Sequence, residues 1–135
     1  MRFASVRVIS DDVARLTDFY EQVTGLPARR QAEQFAELVS PSCTLAIGST
    51  QTMALFSGGA AVPESNRTVI LEFQVEDVDR EYERLTGLAL VPEIVQEPTT
   101  MPWGNRSLLF RDPDGNLVNF FAPLTEQSRA GLVRS

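Results

Sequence analysis

The sequence predicts an α+β fold built from two modules that each run strand, helix, strand, strand, strand, a βαβββ order. Two observations support this prediction. Segments rich in β-branched and aromatic residues flank two segments whose apolar residues recur at helical spacing. The chain also repeats itself, because residues 12–15 (DVAR) align with residues 77–80 (DVDR) at a constant sequence offset (77 − 12 = 65). The same offset aligns residues 53–56 with residues 118–121, so we expect a duplication that includes the closing strands.

The first module is predicted to occupy about residues 1–60. Residues 2–9 are rich in β-branched residues, which favours a first strand. Asp11 or Asp12 is expected to cap a helix, and Gly25 is expected to end it in the left-handed conformation. Three short strands are then predicted at residues 35–39, 44–47 and 53–56.

After a linker at residues 57–66 the pattern restarts, and the second module is predicted over about residues 66–124. Asp77 is expected to cap its helix. Its strands are predicted at residues 68–75, 90–95, 107–110 and 117–121. Together the modules are expected to form a single domain over residues 1–124. The polar residues 125–135 are expected to form a frayed C-terminal tail.

The strongest local signal is the turn between the last two strands, Asp112-Pro113-Asp114-Gly115. Pro113 fixes φ at the first corner, the aspartates can accept hydrogen bonds from nearby backbone N–H groups, and Gly115 takes a left-handed corner without strain. This composition predicts a tight hairpin. We assign no catalytic chemistry to its two carboxylates.

The composition excludes several kinds of chemistry. The chain of 135 residues has no histidine and one cysteine, and all 12 of its basic residues are arginine. It therefore lacks the commonest general base and transition-metal ligand, a Schiff-base lysine and an internal disulfide. The net charge of −6, without basic clusters, disfavours nucleic acid and anionic membranes as partners. No apolar segment is long enough to cross a bilayer, so we expect a cytoplasmic protein.

The run WGNRSLLFRDPDGNL at residues 103–117, together with the DVxR helix starts, resembles the glyoxalase / bleomycin-resistance / extradiol dioxygenase superfamily, also called vicinal oxygen chelate proteins. The resemblance covers about residues 3–122. It implies that each module curls a mixed sheet into a half-barrel and that paired modules enclose a crevice. It also implies a homodimer, because small members commonly complete their crevices with a second chain.

Side-chain alternation along the strands predicts which residues line that crevice, since Val6 and Val8 should face the helix. The ligand-binding residues predicted in this way are Ser5, Arg7, Ala54, Phe56, Ile70, Glu72, Asn119 and Phe121. Trp103, in the turn before the hairpin, joins this set as a ring that could stack on a planar ligand at the crevice mouth. The alternative for Trp103 is packing on the protein's own rim.

The resemblance also identifies where a metal ion would bind. Metal-dependent members carry His, Gln or Glu ligands at four positions, which here correspond to Ser5, Ala54, Ile70 and Asn119. Ala54 and Ile70 have no donor atom, and a neutral serine–asparagine pair cannot hold a divalent ion against water. A two-residue shift brings in Glu72, but one carboxylate does not make a site. We therefore expect no metal ion and no other cofactor.

Arg7 and Glu72 are repeat mates at the same offset (72 − 7 = 65), and both are expected to point into the crevice. The favoured interpretation is an ion pair between the modules. The alternative is that Arg7 binds an oxyanion of a ligand, or that Glu72 acts as a general acid or base, which makes Glu72 the one catalytic candidate.

The resemblance favours a small-molecule-binding protein that sequesters an antibiotic or another aromatic ligand in a metal-free crevice. One alternative is an enzyme of the same superfamily. It would be a lyase or isomerase using Glu72 and Arg7 without a metal, or a dioxygenase or other metal enzyme whose ligands lie elsewhere. The other alternative is a degenerate member that serves only as a structural or regulatory partner. The expected partners are a small ligand and a second copy of the chain.

Overall fold

The computed structural model describes residues 1–132, which divide into two compact units, Met1–Arg67 and a second unit that begins at Thr68. We call these module one and module two. Each holds one four-stranded mixed sheet and one long helix. The predicted α+β class and the βαβββ order of both modules are therefore confirmed.

Module one comprises the elements β1 (Ser5–Ser10), α1 (Val13–Thr24), β2 (Ala28–Ala32), β3 (Phe35–Val39), β4 (Thr44–Ser49) and α2 (Thr50–Met53). Its strand order is β1-β4-β3-β2. The first strand runs parallel to the closing strand β4, and the other neighbours are antiparallel. Residues 57–66 contain neither helix nor strand, as expected of a linker.

Module two comprises the elements β5 (Ile70–Gln74), α3 (Val78–Thr86), β6 (Glu93–Thr100), β7 (Asn105–Arg111), β8 (Leu117–Pro123) and α4 (Glu126–Ala130). Its strand order is β5-β8-β7-β6, with β5 parallel to the closing strand β8. The topology therefore repeats that of module one. Within residues 1–132, none of the helices has the length and apolar character needed to span a bilayer.

The two long helices begin in the same way, at aspartates that are repeat mates. Asp12 accepts a hydrogen bond from the backbone N–H of Arg15 at 3.0 Å, and Asp77 accepts one from that of Arg80 at 3.1 Å. Each cap satisfies a backbone donor that the first helical turn leaves open. At the other end of α1, Gly25 has a φ of 72°, the left-handed conformation that the sequence predicts.

Each long helix covers one face of its own sheet. In module one, α1 contacts β3 and β4, and Tyr20 on α1 is fully buried. In module two, α3 contacts β6, β7 and β8, and the core below it holds Phe110 and Phe120, whose ring centroids lie 4.9 Å apart in an edge-to-face pair. We call the opposite side of each sheet its distal face.

Side chains alternate between core and distal face along β5 and β8. Leu71 is buried whereas its neighbour Glu72 is exposed. Val118 and Phe120 are buried whereas Asn119, between them, is only partly covered. This alternation agrees with the orientation predicted for these strands, and it places Glu72 and Asn119 on the distal face of module two.

The strand predicted at residues 53–56 is wrong. The chain instead forms α2 directly after β4 and continues into a turn. Ser49 starts this helix, because its hydroxyl accepts a hydrogen bond from the backbone N–H of Thr52 at 3.4 Å and its carbonyl accepts one from the Thr52 hydroxyl at 2.6 Å. The fourth strand of module one is β2, whose polar sequence ARRQA lacks the apolar alternation of a strand signal.

The repeat consequently changes its offset at the closing strands. Ser5 pairs with Thr44 in module one, and Ile70 pairs with Leu117 in module two. The offset between equivalent positions of the closing strands is therefore larger (117 − 44 = 73) than that between the first strands (70 − 5 = 65). Part of the difference comes from β6 and β7, which have 8 and 7 residues where β2 and β3 have 5 each.

This change of offset corrects two predicted equivalences. The counterpart of Asn119 in module one is Ala46, the register partner of Arg7, and not Ala54. The counterpart of Phe121 is Gly48, and not Phe56. Ala54 ends α2 in a right-handed helical conformation, so it is not a closing-strand residue.

The expectation of a frayed tail is wrong for residues 126–130, which form α4. Thr125 and Ser128 make reciprocal capping bonds at its start, and the Ser128 hydroxyl donates to the carbonyl of Gly104 at 3.2 Å. Gly104 has a φ of 92°, and a Cβ there would lie 2.7 Å from the Thr125 hydroxyl oxygen, so only glycine fits this contact. Residues 133–135 of the predicted tail lie outside the described residues.

The DPDGN turn is held by Asp112, which is almost fully buried. One of its carboxylate oxygens accepts hydrogen bonds from the backbone N–H groups of Asp114 and Asn116, each at 2.9 Å. The other oxygen accepts from the Asn116 side-chain amide at 2.8 Å. Gly115 occupies the left-handed corner with a φ of 85°. The predicted hairpin is confirmed, and Asp112 has a structural role.

Asp112→Ala is expected to lower the free energy of unfolding by about 2–3 kcal/mol, because three donors lose their acceptor in a buried turn. Urea unfolding monitored by circular dichroism measures this loss. Asp112→Asn keeps one acceptor oxygen and should fall between the alanine variant and the wild type. Asp11→Ala, an exposed aspartate next to the α1 cap, serves as the control. Equal stability of Asp112→Ala and Asp11→Ala would contradict the structural role of Asp112.

Glu21 joins the end of α1 to β2. Its carboxylate accepts a hydrogen bond from the backbone N–H of Ala28 at 2.9 Å and pairs with the Arg30 guanidinium at 2.6 Å. The bond from Ala28, followed by that from Arg30, holds the pKa of Glu21 below its ordinary value. The folded state therefore favours the charged form of this carboxylate.

Glu21→Gln is expected to remove a pH-dependent contribution to stability. Since the folded-state pKa is lowered, this contribution is fully present above the ordinary glutamate pKa of about 4.3 and is lost as the pH falls through the folded value. The melting temperatures of wild type and variant should differ at neutral pH and converge in acid. Glu33→Gln, in the exposed turn between β2 and β3, is the matched control. A wild-type advantage that persists undiminished in acid would refute this role of Glu21.

Candidate functional site

The distal face of module one carries an arginine enclosed by aromatic rings. Arg7 lies on β1 next to Ala46 of β4. Its guanidinium carbon lies 4.9 Å from the ring centroid of Phe35 on β3 and 5.5 Å from that of Phe56 in the turn after α2. Both distances are within the range of cation–π attraction. The guanidinium from β1 is therefore met by rings from two other parts of module one, β3 and the turn after α2.

Arg7 has no acceptor within its own module. Among residues 1–67, no carboxylate lies within ion-pair distance of its guanidinium, and no side-chain or backbone oxygen accepts from it. Glu37 lies in the same cross-strand row, beyond Ala46, but its carboxylate accepts a hydrogen bond from Gln31 at 2.9 Å. Because aromatic rings accept no conventional hydrogen bond, the N–H groups of Arg7 keep their capacity to donate.

Two other predicted residues of module one belong to this face. Ser5 is exposed on β1 beside Thr44, two residues before Arg7 and on the same side of the sheet. The ring of Phe56 is 70% exposed, and the adjacent Leu55 is 85% exposed. Phe56 therefore contributes an accessible aromatic surface to this face, from a turn and not from the predicted strand.

The distal face of module two carries a carboxylate–amide pair. Glu72 on β5 and Asn119 on β8 are register partners, and the Asn119 Nδ2 donates to the Glu72 carboxylate at 2.8 Å. A carboxylate can only accept, so the amide must present its NH₂ group to Glu72. The Asn119 Oδ1 is consequently left buried without a hydrogen-bond partner in residues 1–132.

Apolar side chains surround this pair. Ile70, two residues before Glu72 on β5, is 47% exposed, and its register partner Leu117 is partly exposed. Phe121, two residues beyond Asn119, is also partly exposed on the same face. Small-molecule sites typically combine such apolar lining with a few placed polar groups. The predicted site residues Ile70, Glu72, Asn119 and Phe121 therefore lie together on one sheet face.

Trp103 lies in the turn between β6 and β7 and is 66% exposed. Next to this turn, Arg106 binds Asp79 of α3 with two hydrogen bonds of 2.7 and 2.8 Å. The bond from Arg106 lowers the pKa of Asp79, and the bond from Asp79 raises the pKa of Arg106. The turn is thus fixed to module two while the indole remains accessible within it, and a stacking role for Trp103 stays a prediction.

The donor chemistry does not fit a divalent metal ion. Within residues 1–132, no three cysteine, aspartate or glutamate side chains lie close enough together to hold one. Glu72 and Asn119 could offer oxygen atoms, but their counterparts in module one are the guanidinium of Arg7 and the methyl group of Ala46. A cation and a methyl group supply no metal ligand.

The sequence does not point to one component of the site. Phe35, which approaches Arg7, lies in a strand that the sequence predicts, but no pattern in the sequence marks it as a site residue. Its alternation with Glu37 on β3 is visible in the sequence, but its position beside Arg7 follows from the register of β3 on β4. The ion pair between Arg7 and Glu72 and the crevice between the modules stay predictions.

Comparison with known proteins agrees with this fold. A family model described as the glyoxalase/bleomycin resistance protein/dioxygenase superfamily matches residues 2–120. The uncharacterized protein YraH of Bacillus subtilis (strain 168) is 28% identical over 130 residues, which span 92% of this chain and 100% of that protein.

Two solved structures show the same architecture. A glyoxalase/bleomycin resistance protein/dioxygenase from Nocardioides superposes with a TM-score of 0.77 at 24% identity and covers 93% of this chain and 85% of its own. A lactoylglutathione lyase from Agrobacterium tumefaciens superposes with a TM-score of 0.68 at 22% identity and covers 88% of this chain and 91% of its own. At these identities the likeness concerns the fold. With the family match over residues 2–120, it follows that the chain belongs to the glyoxalase/bleomycin resistance protein/dioxygenase superfamily.

Proposed function

We propose that the protein binds and sequesters a small aromatic molecule, such as an antibiotic, on the distal faces of its sheets and does so without a metal ion. The observation that carries this proposal is the composition of those faces. Accessible apolar and aromatic side chains surround a few fixed polar groups in each module, and this combination is typical of ligand sites.

The aromatic nature of the ligand is supported by Phe56. Its ring is 70% exposed although it stands beside Arg7, so one surface of the ring remains available for stacking. An aromatic pair contributes about 0.5–1.5 kcal/mol beyond the apolar area that it buries. Trp103 offers a second accessible ring in module two.

The proposal includes a homodimer, as the resemblance to small superfamily members suggests. Accessible apolar side chains are available for burial against a second chain, among them Leu90 and Val91. A cytoplasmic location and the lack of nucleic-acid partners stay predictions from composition.

A second candidate function, catalysis by Glu72, is favoured by one observation. Its carboxylate is exposed and held by Asn119, so it could take a proton from a bound substrate. A lactoylglutathione lyase is among the proteins of similar fold, so an enzymatic role would be a lyase or isomerase reaction. Turnover that is lost in Glu72→Gln while ligand binding persists would favour this second function.

Metal analysis of the purified protein tests the metal-free part of the proposal. We expect no stoichiometric iron, zinc, nickel or manganese, because neither module offers a suitable donor set within residues 1–132. The measurement is elemental analysis after dialysis against buffer that contains each metal in turn. One tightly held equivalent per chain would contradict the proposal.

Binding of uncharged bicyclic aromatic probes, such as 2-naphthamide, tests the aromatic part by isothermal titration calorimetry. We expect Phe56→Ala to weaken binding on the order of tenfold, because it removes a stacking surface. Leu55→Ala removes an equally accessible apolar side chain from the same turn without touching Arg7, so it should bind like the wild type. Failure of the wild type to bind any aromatic probe would overturn the proposed function.

A further inference from the structure

Arg7 differs from an ordinary surface arginine because its guanidinium is restrained. Phe35 comes from the neighbouring part of the sheet and Phe56 from the turn after α2, and their ring centroids lie 4.9 and 5.5 Å from the same guanidinium carbon. A free arginine side chain loses considerable conformational entropy when it binds a ligand. The two rings already restrict the side chain, so Arg7 is preorganised and loses less conformational entropy when it binds a ligand.

The hydrogen-bonding groups of Arg7 are available at the same time. A guanidinium has five N–H donors in a planar fork that matches the two oxygens of a carboxylate. Within residues 1–67 none of these donors is satisfied by a protein acceptor. The rings therefore hold the cation in place without occupying the donors with which it recognises an anion.

The side chains beside Arg7 in the sheet do not neutralise its charge. The register partner of Arg7 is Ala46, a buried methyl group, and the space over the next distal position of β4, Gly48, is filled by neighbouring side chains. The side chain of Arg7 is exposed, so an anion would approach the guanidinium from solvent. The acid in the same row, Glu37, is bonded to Gln31. No side chain described for this part of module one neutralises Arg7.

We propose that the ligand carries a carboxylate on its aromatic body and that Arg7 binds this carboxylate with a two-pronged hydrogen bond. Phe35 and Phe56 act as positioning residues, and the exposed ring of Phe56 also meets the aromatic part of the ligand. This inference rests on the proposed function, since it names the chemical class of the aromatic molecule that the same site takes.

Three probes of matched shape test the inference by calorimetry: 2-naphthoate, which is anionic, 2-naphthamide, which is neutral, and 2-naphthamidine, which is cationic. The wild type should bind naphthoate on the order of tenfold more tightly than naphthamide, because a charge-assisted bond replaces a neutral one. Naphthamidine should bind more weakly than either, because it meets the cation of Arg7.

Arg7→Gln should bind naphthoate and naphthamide with nearly equal affinity, because it loses the charge-assisted bond, and naphthoate should be weakened by much the larger factor. Arg7→Lys keeps the charge but lacks the fork, so it should recover only part of the preference. Phe35→Leu retains an apolar side chain and should reduce the preference for naphthoate while the melting temperature stays close to that of the wild type. Arg67→Gln, the same charge change at an exposed position outside the sheet, is the matched control.

The outcomes separate this inference from the proposed function. If naphthoate and naphthamide bind the wild type equally, or if Arg7→Gln weakens both to the same extent, the carboxylate assignment is overturned while aromatic binding stands. If Arg67→Gln abolishes the preference for naphthoate to the same extent as Arg7→Gln, the effect is one of net charge and the assignment to Arg7 fails. If no naphthyl probe binds, the proposed function itself fails.

Discussion

The parallel pairing of the first strand with the closing strand decides which side chains meet in each module. This pairing brings Arg7 beside Ala46 in module one and Glu72 beside Asn119 in module two. Because side chains on a strand have a period of two, a shift of one residue would turn each of these groups into the core. The long helices make such a shift costly, since they bury the alternate residues, among them Ile47 and Val118.

Much of the fold could be predicted from local patterns because those patterns have local causes. The caps Asp12 and Asp77, the left-handed Gly25 and the DPDGN turn are each determined by neighbours within a few residues. The strands of module one have weaker signals in the sequence. The polar strand β2 is paired only with β3 and lies largely in solvent, so no alternation of apolar residues marks it.

The sequence predicts only part of the candidate site, because strand register cannot be derived from alternation. Alternation alone assigns Glu72 and Asn119 to the same face, but the hydrogen bond between them depends on how β5 aligns with β8. The apolar residues 53–56 suggested a strand, yet Ser49 and Thr52 turn the chain into a helix before it. Phe56 consequently reaches Arg7 from a turn, and its partner Phe35 becomes visible only with the pairing of β3 and β4.

The close contact at Gly104 couples the turn that carries Trp103 to α4, through Thr125 and Ser128. Trp103 is the single tryptophan of the chain. Its emission therefore reports the state of this one corner of module two, whereas far-ultraviolet circular dichroism reports the secondary structure of both modules. A comparison of the two signals during denaturation distinguishes modules that unfold together from modules that unfold in sequence, without the introduction of any label.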